Sequence, residues 1–306
     1  MVTIVFWIAF FLFLLGLVAT QLVLYGFRWY EISNRGNFPE TIWYDALKVE
    51  KYRPVTIFIK ECFWAVIYIF SYLPWLIRSI LKRKRVEFEP GELVKGKPLI
   101  ILIHGVFGKS DHFWLMRRRF SSRSIPNILT FEYETINRSL AENCESLRDF
   151  LLRIRAKTGM SEAVLIGHSL GGLIAHEYVR RFGESGEVKA VVALGSPFRG
   201  TRLAVMALTS KARSLAPSNP IFADIISSRL NTRFLSVYSR YDQFIIPYTN
   251  SDHPGADKNR EIELCGHTGF FFNKKVFKII FEWIDGHKEN SSGARQPLRE
   301  NSHMRP

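Results

Sequence analysis

Cysteine is scarce: 306 residues contain three, at positions 62, 144 and 265. No two of them form a C-x-x-C pair, so the chain shows neither a disulfide framework nor a zinc or dithiol motif, and the sparse, odd set fits a reducing compartment. Acidic residues are also short, 28 against 42 Lys and Arg, which leaves a formal charge of +14. That excess does not read as a nucleic-acid surface. No nucleic-acid module pattern accompanies it, and its densest cluster sits beside an apolar segment, where lipid head groups are the better match. Internal repeats are absent. No Lys or Arg precedes the first apolar run, so the charged start of an ordinary signal peptide is missing.

What is present begins with that run. Residues 2–27 are broken only by Thr3, Gly16, Thr20, Gln21 and Gly26. At about 1.5 Å per residue its length matches a hydrocarbon core of about 30 Å. It reads as a retained anchor rather than a cleaved signal. A second apolar stretch, 62–77, contains Pro74 and is preceded by Lys60 and Glu61. Its Trp64, Tyr68, Tyr72 and Trp75 suit an in-plane interfacial helix as well as a span. Lys82, Arg83, Lys84 and Arg85 follow, which reads as a cytoplasmic stop and a docking strip for anionic head groups. Arg117, Arg118 and Arg119 read as a solvated helix face or a further lipid contact.

These features divide the chain into a membrane-anchoring region, 1–85, with an amphipathic segment at 40–52, and a joint at 86–97 carrying Pro90, Gly91 and Gly96. A compact domain follows at 98–287. The polar tail, 288–306, has too little apolar content to pack and is expected to be disordered. Within the compact domain, strands are expected at 99–103, 128–133, 163–166, 189–194, 233–238 and 261–264. Helices are expected at 111–120, with Asp111 as cap, and at 139–158, 170–182 and 274–284. Such alternation means βαβ units, hence the α/β class with a mainly parallel sheet covered on both faces. Ligands in such sheets bind beyond the carboxyl ends of the strands.

Gly167-His168-Ser169-Leu170-Gly171 follows one expected strand and opens one expected helix. A sharp turn between them lifts the serine hydroxyl clear of the sheet, as a nucleophile requires. A hydroxyl needs a base, and the base needs a third group to orient it. In this arrangement the acid and then the histidine come later in the chain. Asp242 and His267 each follow an expected strand, at the same sheet edge as Ser169. Asp252 and Asp257 lie in a loop rich in Gly, Pro and Asn and read as turn formers; His253 shares that loop. His168 reads as support for the elbow, His176 as structural. Two backbone N–H groups must receive an oxyanion: those of Leu170 and of Val106, in the loop His104-Gly105-Val106-Phe107-Gly108.

Together, 102–108, 167–172, Gly195-Ser-Pro-Phe-Arg-Gly-Thr and Gly266-His267 resemble the bacterial lipase-type α/β hydrolases, a grouping with inositol-deacylating and phospholipid-acyl-transferring relatives. The third motif departs from that family's Gly-Thr-Pro-His-x-Gly-Thr at Ser196 and Phe198. The resemblance covers about residues 98–287. It implies an α/β-hydrolase fold and a mobile lid, for which 201–230 is the candidate, with Met206, Leu208, Leu215, Phe222 and Ile225 as its apolar inner face. Some relatives bind calcium near the histidine loop, where Asp252 and Asp257 stand, but no metal or cofactor is assigned. The expectation is a membrane-anchored hydrolase of carboxylic esters, acting on lipid. Acyl transfer or thioester cleavage by the same triad, and a catalytically silent membrane scaffold, are the alternatives.

Overall fold

The structure is a computed structural model and describes residues 2–34, 53–81, 93–94, 97–135, 137–160, 162–183, 186–207 and 209–290. The amphipathic segment at 40–52, the basic cluster at 82–85, most of the joint and the tail from 291 lie outside the described residues.

Continuous apolar runs are what strands buried on both faces require. Six strands form one parallel sheet: β1 (Leu99–Ile103), β2 (Asn127–Phe131), β3 (Ala163–His168), β4 (Val188–Leu194), β5 (Arg233–Tyr238) and β6 (Lys258–Glu261). Their order is β2-β1-β3-β4-β5-β6. The chain steps outward from β1 to β2 and then resumes on the other side of β1, so the loops after β1 and β3 flank the switch point where such sheets bind ligands.

Helices α4 (Trp114–Ser121), α5 (Leu140–Thr158), α6 (Leu170–Phe182) and α9 (Lys274–Asn290) cover the sheet, with the short α7 (Ser210–Arg213) and α8 (Ile221–Ser227) in the segment before β5. One core face packs Leu147, Phe150 and Ile174 against β1 and β3; the other packs Phe113, Phe120, Val276 and Ile280 against the same sheet. Helix α5 starts on a capping box: Ser139 Oγ accepts from Glu142 N–H, and the Glu142 carboxylate accepts from Ser139 N–H.

Several boundaries differ from expectation: β2 ends at 131 rather than 133 and β3 at 168 rather than 166. The sixth strand lies at 258–261 rather than 261–264. It is an edge strand of Lys, Asn, Arg and Glu, so it lacks the apolar run that reveals its neighbours. Asp111 does not cap a helix: it lies inside a 3-10 turn, Ser110–Phe113, and pairs with Arg78. The last helix continues to Asn290.

The N-terminal region forms α1 (Val2–Ser33), α2 (Arg53–Phe70) and α3 (Leu73–Ile80). Among the described residues, the segments Thr3–Ser33 and Val55–Ile80 are long and apolar enough to cross a membrane. Ile4, Phe11, Leu15 and Leu22 of α1 are more than half exposed. Helix α2 is two-sided. Val55, Ile59 and Phe63 are exposed, whereas Ile57, Glu61 and Ala65 are buried at helical spacing. That buried stripe docks on the sheet domain: Trp64 stacks on Phe272 at 4.6 Å and Tyr68 on His112 at 3.7 Å between ring centres.

Candidate active site

The peptide between β3 and α6 holds Ser169 at φ 55°, ψ −123°, a conformation that costs an L-residue strain and that only a tightly determined turn maintains. The flanking glycines explain how the turn fits. A β-carbon at Gly167 would stand 2.3 Å from the Gly171 backbone, and one at Gly171 would stand 2.2 Å from the carbonyl oxygen of Ile103. The loop after β1 also comes close, since a β-carbon at Gly105 would lie 2.8 Å from Cβ of Ser169. Leu170 is the first residue of α6, so its N–H has no partner within the helix. Val106 and Ser169 line the same cavity.

Asp242 and His267 meet although 25 residues separate them: Nδ1–H of His267 donates to Oδ2 of Asp242 at 2.7 Å. The other carboxylate oxygen of Asp242 accepts from the N–H groups of Phe244 at 2.8 Å and Ile245 at 3.0 Å, which fixes its plane. With Nδ1 acting as donor, Nε2 of His267 is left as the acceptor. His267 and Ser169 both line the cavity.

His168 does not compete as a base. Its Nε2–H donates to the His267 carbonyl at 3.0 Å. Burial, reinforced by the charge of His267, pushes its imidazolium well below the usual range, so it remains a neutral prop. His104 and Glu132 form a second support beneath the loop after β1. Burial alone would raise the Glu132 carboxyl, but hydrogen bonds with His104 and Ser110 outweigh it and hold the group down at about 2. Asp252, Asp257 and His253 lie apart from the pair formed by Asp242 and His267. Asp257 accepts from Phe234 N–H at 2.8 Å, a structural role. His253, in the same loop, is fully buried between Phe198 and His176. Its Nε2–H donates to Ile225 O at 2.9 Å and its Nδ1 accepts from Gly255 N–H at 3.0 Å. Phe198, standing where the resembled family has histidine, completes this aromatic cluster and is itself fully buried. Among the described residues, no group of three or more His, Cys, Asp or Glu could hold a metal ion.

The buried histidines give the fold an acid sensitivity. Burial lowers His253 from 6.5 to about 4, and His168 moves in the same direction. Below pH 6.5 the unfolded chain therefore binds protons that the folded chain refuses. The stabilisation is full above pH 6.5 and is lost as pH falls towards 4. The melting temperature followed by circular dichroism should fall steadily across that window; a level profile would contradict these neutral assignments.

The cavity that Ser169 and His267 share has a volume of about 700 Å³. Its wall is mainly apolar and comes from three directions. Leu203, Met206 and Leu215 belong to the segment after β4, Phe244 and Phe271 to the sheet domain, and Ala19, Thr20, Val23 and Leu24 to α1. Met206 and Leu215 thus face the site as expected. Phe222 and Ile225 do not: they are buried in the main core, because α8 is anchored through them. Leu208 lies outside the described residues.

Sequence reasoning missed the residues that tie the N-terminal helices to this site. Arg202, at the rim, pairs with Glu31 of α1 at 2.7 Å, and Tyr72 donates to the carbonyl of Phe107. Glu61, Gln21 and Gln243 form a buried polar connection. The available signal was a single acid on the buried stripe of an otherwise apolar helix, where an ionisable group is expensive unless it has a task.

Residues 98–225 match the family model of the α/β-hydrolase fold. A lipase of Bacillus licheniformis in its mature form superposes with a TM-score of 0.53 at 14% identity, covering 66% of this chain and 96% of the other. Aspergillus fumigatus lipase B gives 0.52 at 17% identity, covering 63% and 53%. The chain has the α/β-hydrolase fold.

Proposed function

We propose that this chain is a membrane-anchored serine hydrolase that cleaves the carboxylic esters of lipids. The observation that carries the reading is the meeting of the Asp242–His267 pair and Ser169 at one apolar cavity walled in part by α1. Ser169 Oγ attacks the acyl carbon while Nε2 of His267 takes its proton. Asp242 keeps the imidazole in the tautomer that leaves Nε2 free to do so. The N–H groups of Val106 and Leu170 receive the oxyanion, helped by the partial positive charge at the start of α6. Collapse of the tetrahedral intermediate breaks the ester bond, and His267 returns the proton to the departing alcohol. Water then attacks the acyl-enzyme by the same relay and releases the acid.

A lipid substrate follows from the walls. A long acyl chain needs an apolar cavity, and one lined by a helix of membrane-spanning length lies next to the place where lipid is most concentrated. The basic cluster at 82–85 assigns the catalytic domain to the cytoplasmic face, beside anionic head groups. The first part of the 201–230 segment, which supplies the third wall, acts as the lid while α8 stays anchored in the core; stapling it should affect hydrolysis of aggregated substrate more than that of a soluble ester.

Rates on a chain-length series of p-nitrophenyl esters, with and without phospholipid vesicles, test the substrate class. Rates rising with acyl length, and rising further with vesicles, are expected; a preference for acetate unaffected by vesicles would contradict it. Val23→Trp places an indole in the α1 wall. It should lower kcat/KM for a long-chain ester by about 10-fold or more, the scale of misfit in an apolar pocket, and leave the acetate ester almost unchanged. Equal losses on both esters would remove α1 from the binding site.

A further inference from the structure

Glu61 reaches the site from outside the sheet domain. It sits on the inward stripe of α2 and is fully buried. Its Oε1 accepts from Gly266 N–H and from Gly269 N–H, and its Oε2 from Thr268 N–H, all at 3.1 Å. The amide between them, that of His267 itself, donates to Oε1 of Gln243 at 3.1 Å. Four successive amides are thus held by two side chains. The Gln243 amide nitrogen in turn lies 3.4 Å from Oε2 of Glu61 and 3.3 Å from Oε1 of Gln21 on α1. The turn is shaped around the carboxylate: a β-carbon at Gly266 would stand 2.3 Å from Cδ of Glu61, and one at Gly269 would stand 2.8 Å from Oε1.

Packing alone does not call for this arrangement. A leucine or methionine would fill the same volume without the cost of burying an acid, a cost offset here in part by backbone amides that converge as in an anion-binding nest. Those amides belong to the turn that presents the proposed base. Asp242 fixes the imidazole ring through Nδ1, but a side-chain bond cannot fix the backbone from which the ring hangs.

We propose that Glu61 is a positioning residue for His267: the carboxylate of α2 clamps the 266–269 turn and so sets the approach of Nε2 to Ser169. The inference rests on the reading of Ser169, His267 and Asp242 as a triad. It makes the N-terminal helices part of the catalytic apparatus, since α2 supplies the clamp and Gln21 of α1 supports Gln243.

The test uses the full-length chain in phospholipid vesicles with p-nitrophenyl butyrate, its active sites counted by fluorophosphonate titration. In Glu61→Gln an amide that can turn only one oxygen to three donors replaces the carboxylate. Its kcat per titrated site should fall by about 100-fold, the scale of an ångström's misplacement of a reacting group, with KM changed by less than about 3-fold. Glu61→Asp keeps the charge on a shorter arm and should recover part of the loss. A Glu61→Gln enzyme with wild-type kcat per titrated site and only a lower melting temperature would show that Glu61 merely packs, and would overturn the proposal. If Glu61→Gln does not fold, Glu61→Asp decides alone: reduced kcat at unchanged KM supports the clamp, and wild-type kcat overturns it. Wild-type protein that takes up no fluorophosphonate would instead defeat the triad reading, a result obtained before any Glu61 variant is compared.

Discussion

Ser169→Ala is expected to abolish ester hydrolysis, lowering kcat by about 10⁴-fold to 10⁶-fold, while the melting temperature shifts little. With Ser169 proposed as the nucleophile, the size follows from removal of the atom that would form the acyl-enzyme, which leaves whatever the oxyanion donors and the cavity achieve alone. The small effect on stability follows from the turn. Ser169 holds its strained φ of 55° because Gly167, Gly171 and the loop after β1 interlock around it, and not through a side-chain cap on α6. Alanine at the same position meets no new contact. Michaelis constants should stay near the wild-type value, since the apolar walls supply most of the ground-state binding. A variant retaining a tenth of the wild-type rate would mean that another group attacks the ester.

Asp242→Asn is expected to cost about 10⁴-fold in kcat without unfolding the protein. The carboxylate accepts from three donors: Phe244 N–H, Ile245 N–H and Nδ1–H of His267. An asparagine oxygen can still serve the two backbone donors. Its NH₂ then faces Nδ1, which must become an acceptor, and the proton moves to Nε2, the atom that has to take the serine's proton. The base is present but holds the wrong tautomer. The loss should be seen in kcat and kcat/KM alike, with little change in KM. Some activity should return at high pH, where hydroxide can do part of the work of the absent base. A small loss, within about 10-fold, would mean that Asp242 only packs against His267.

What the sequence made legible, and what it did not, has a physical pattern. β1, β3 and β4 read as strands because strands buried on both faces are continuous apolar runs, whereas the polar edge strand β6 gives no such signal. Ser169 was legible because strand, glycine, serine and helix follow one another in the chain. Asp242 and His267 were legible by order, and Asp242 also by its place after β5; the strand expected just before His267 lies at 258–261 instead, and their 2.7 Å contact depends on how two loops close across the sheet edge. Phe222 and Ile225 looked like the inner face of a lid since an apolar stripe is the same whether it faces a cavity or a core; tertiary packing assigned them to the core. Glu61 was hidden for a further reason. Read along the chain, it marks a polar boundary before the apolar stretch that begins at Cys62. Only the docking of α2 against the 266–269 turn makes it the centre of a buried face.

Phe198, where the resembled family has histidine, is fully buried. It stands against His176 and His253 in the core. Phenylalanine closes the cluster with an apolar edge-on contact to His253, 5.0 Å between ring centres. The change lies in the core beneath the segment that follows β4 and leaves the cavity wall as it is.

Ser169 is proposed as the nucleophile of a working hydrolase. Intact-mass analysis after incubation with a fluorophosphonate, followed by peptide mapping, measures it directly. A single adduct per chain is expected, located on the peptide carrying Ser169, absent from Ser169→Ala and formed much more slowly in Asp242→Asn. An adduct on any other residue, or equal labelling of Ser169→Ala, would contradict it.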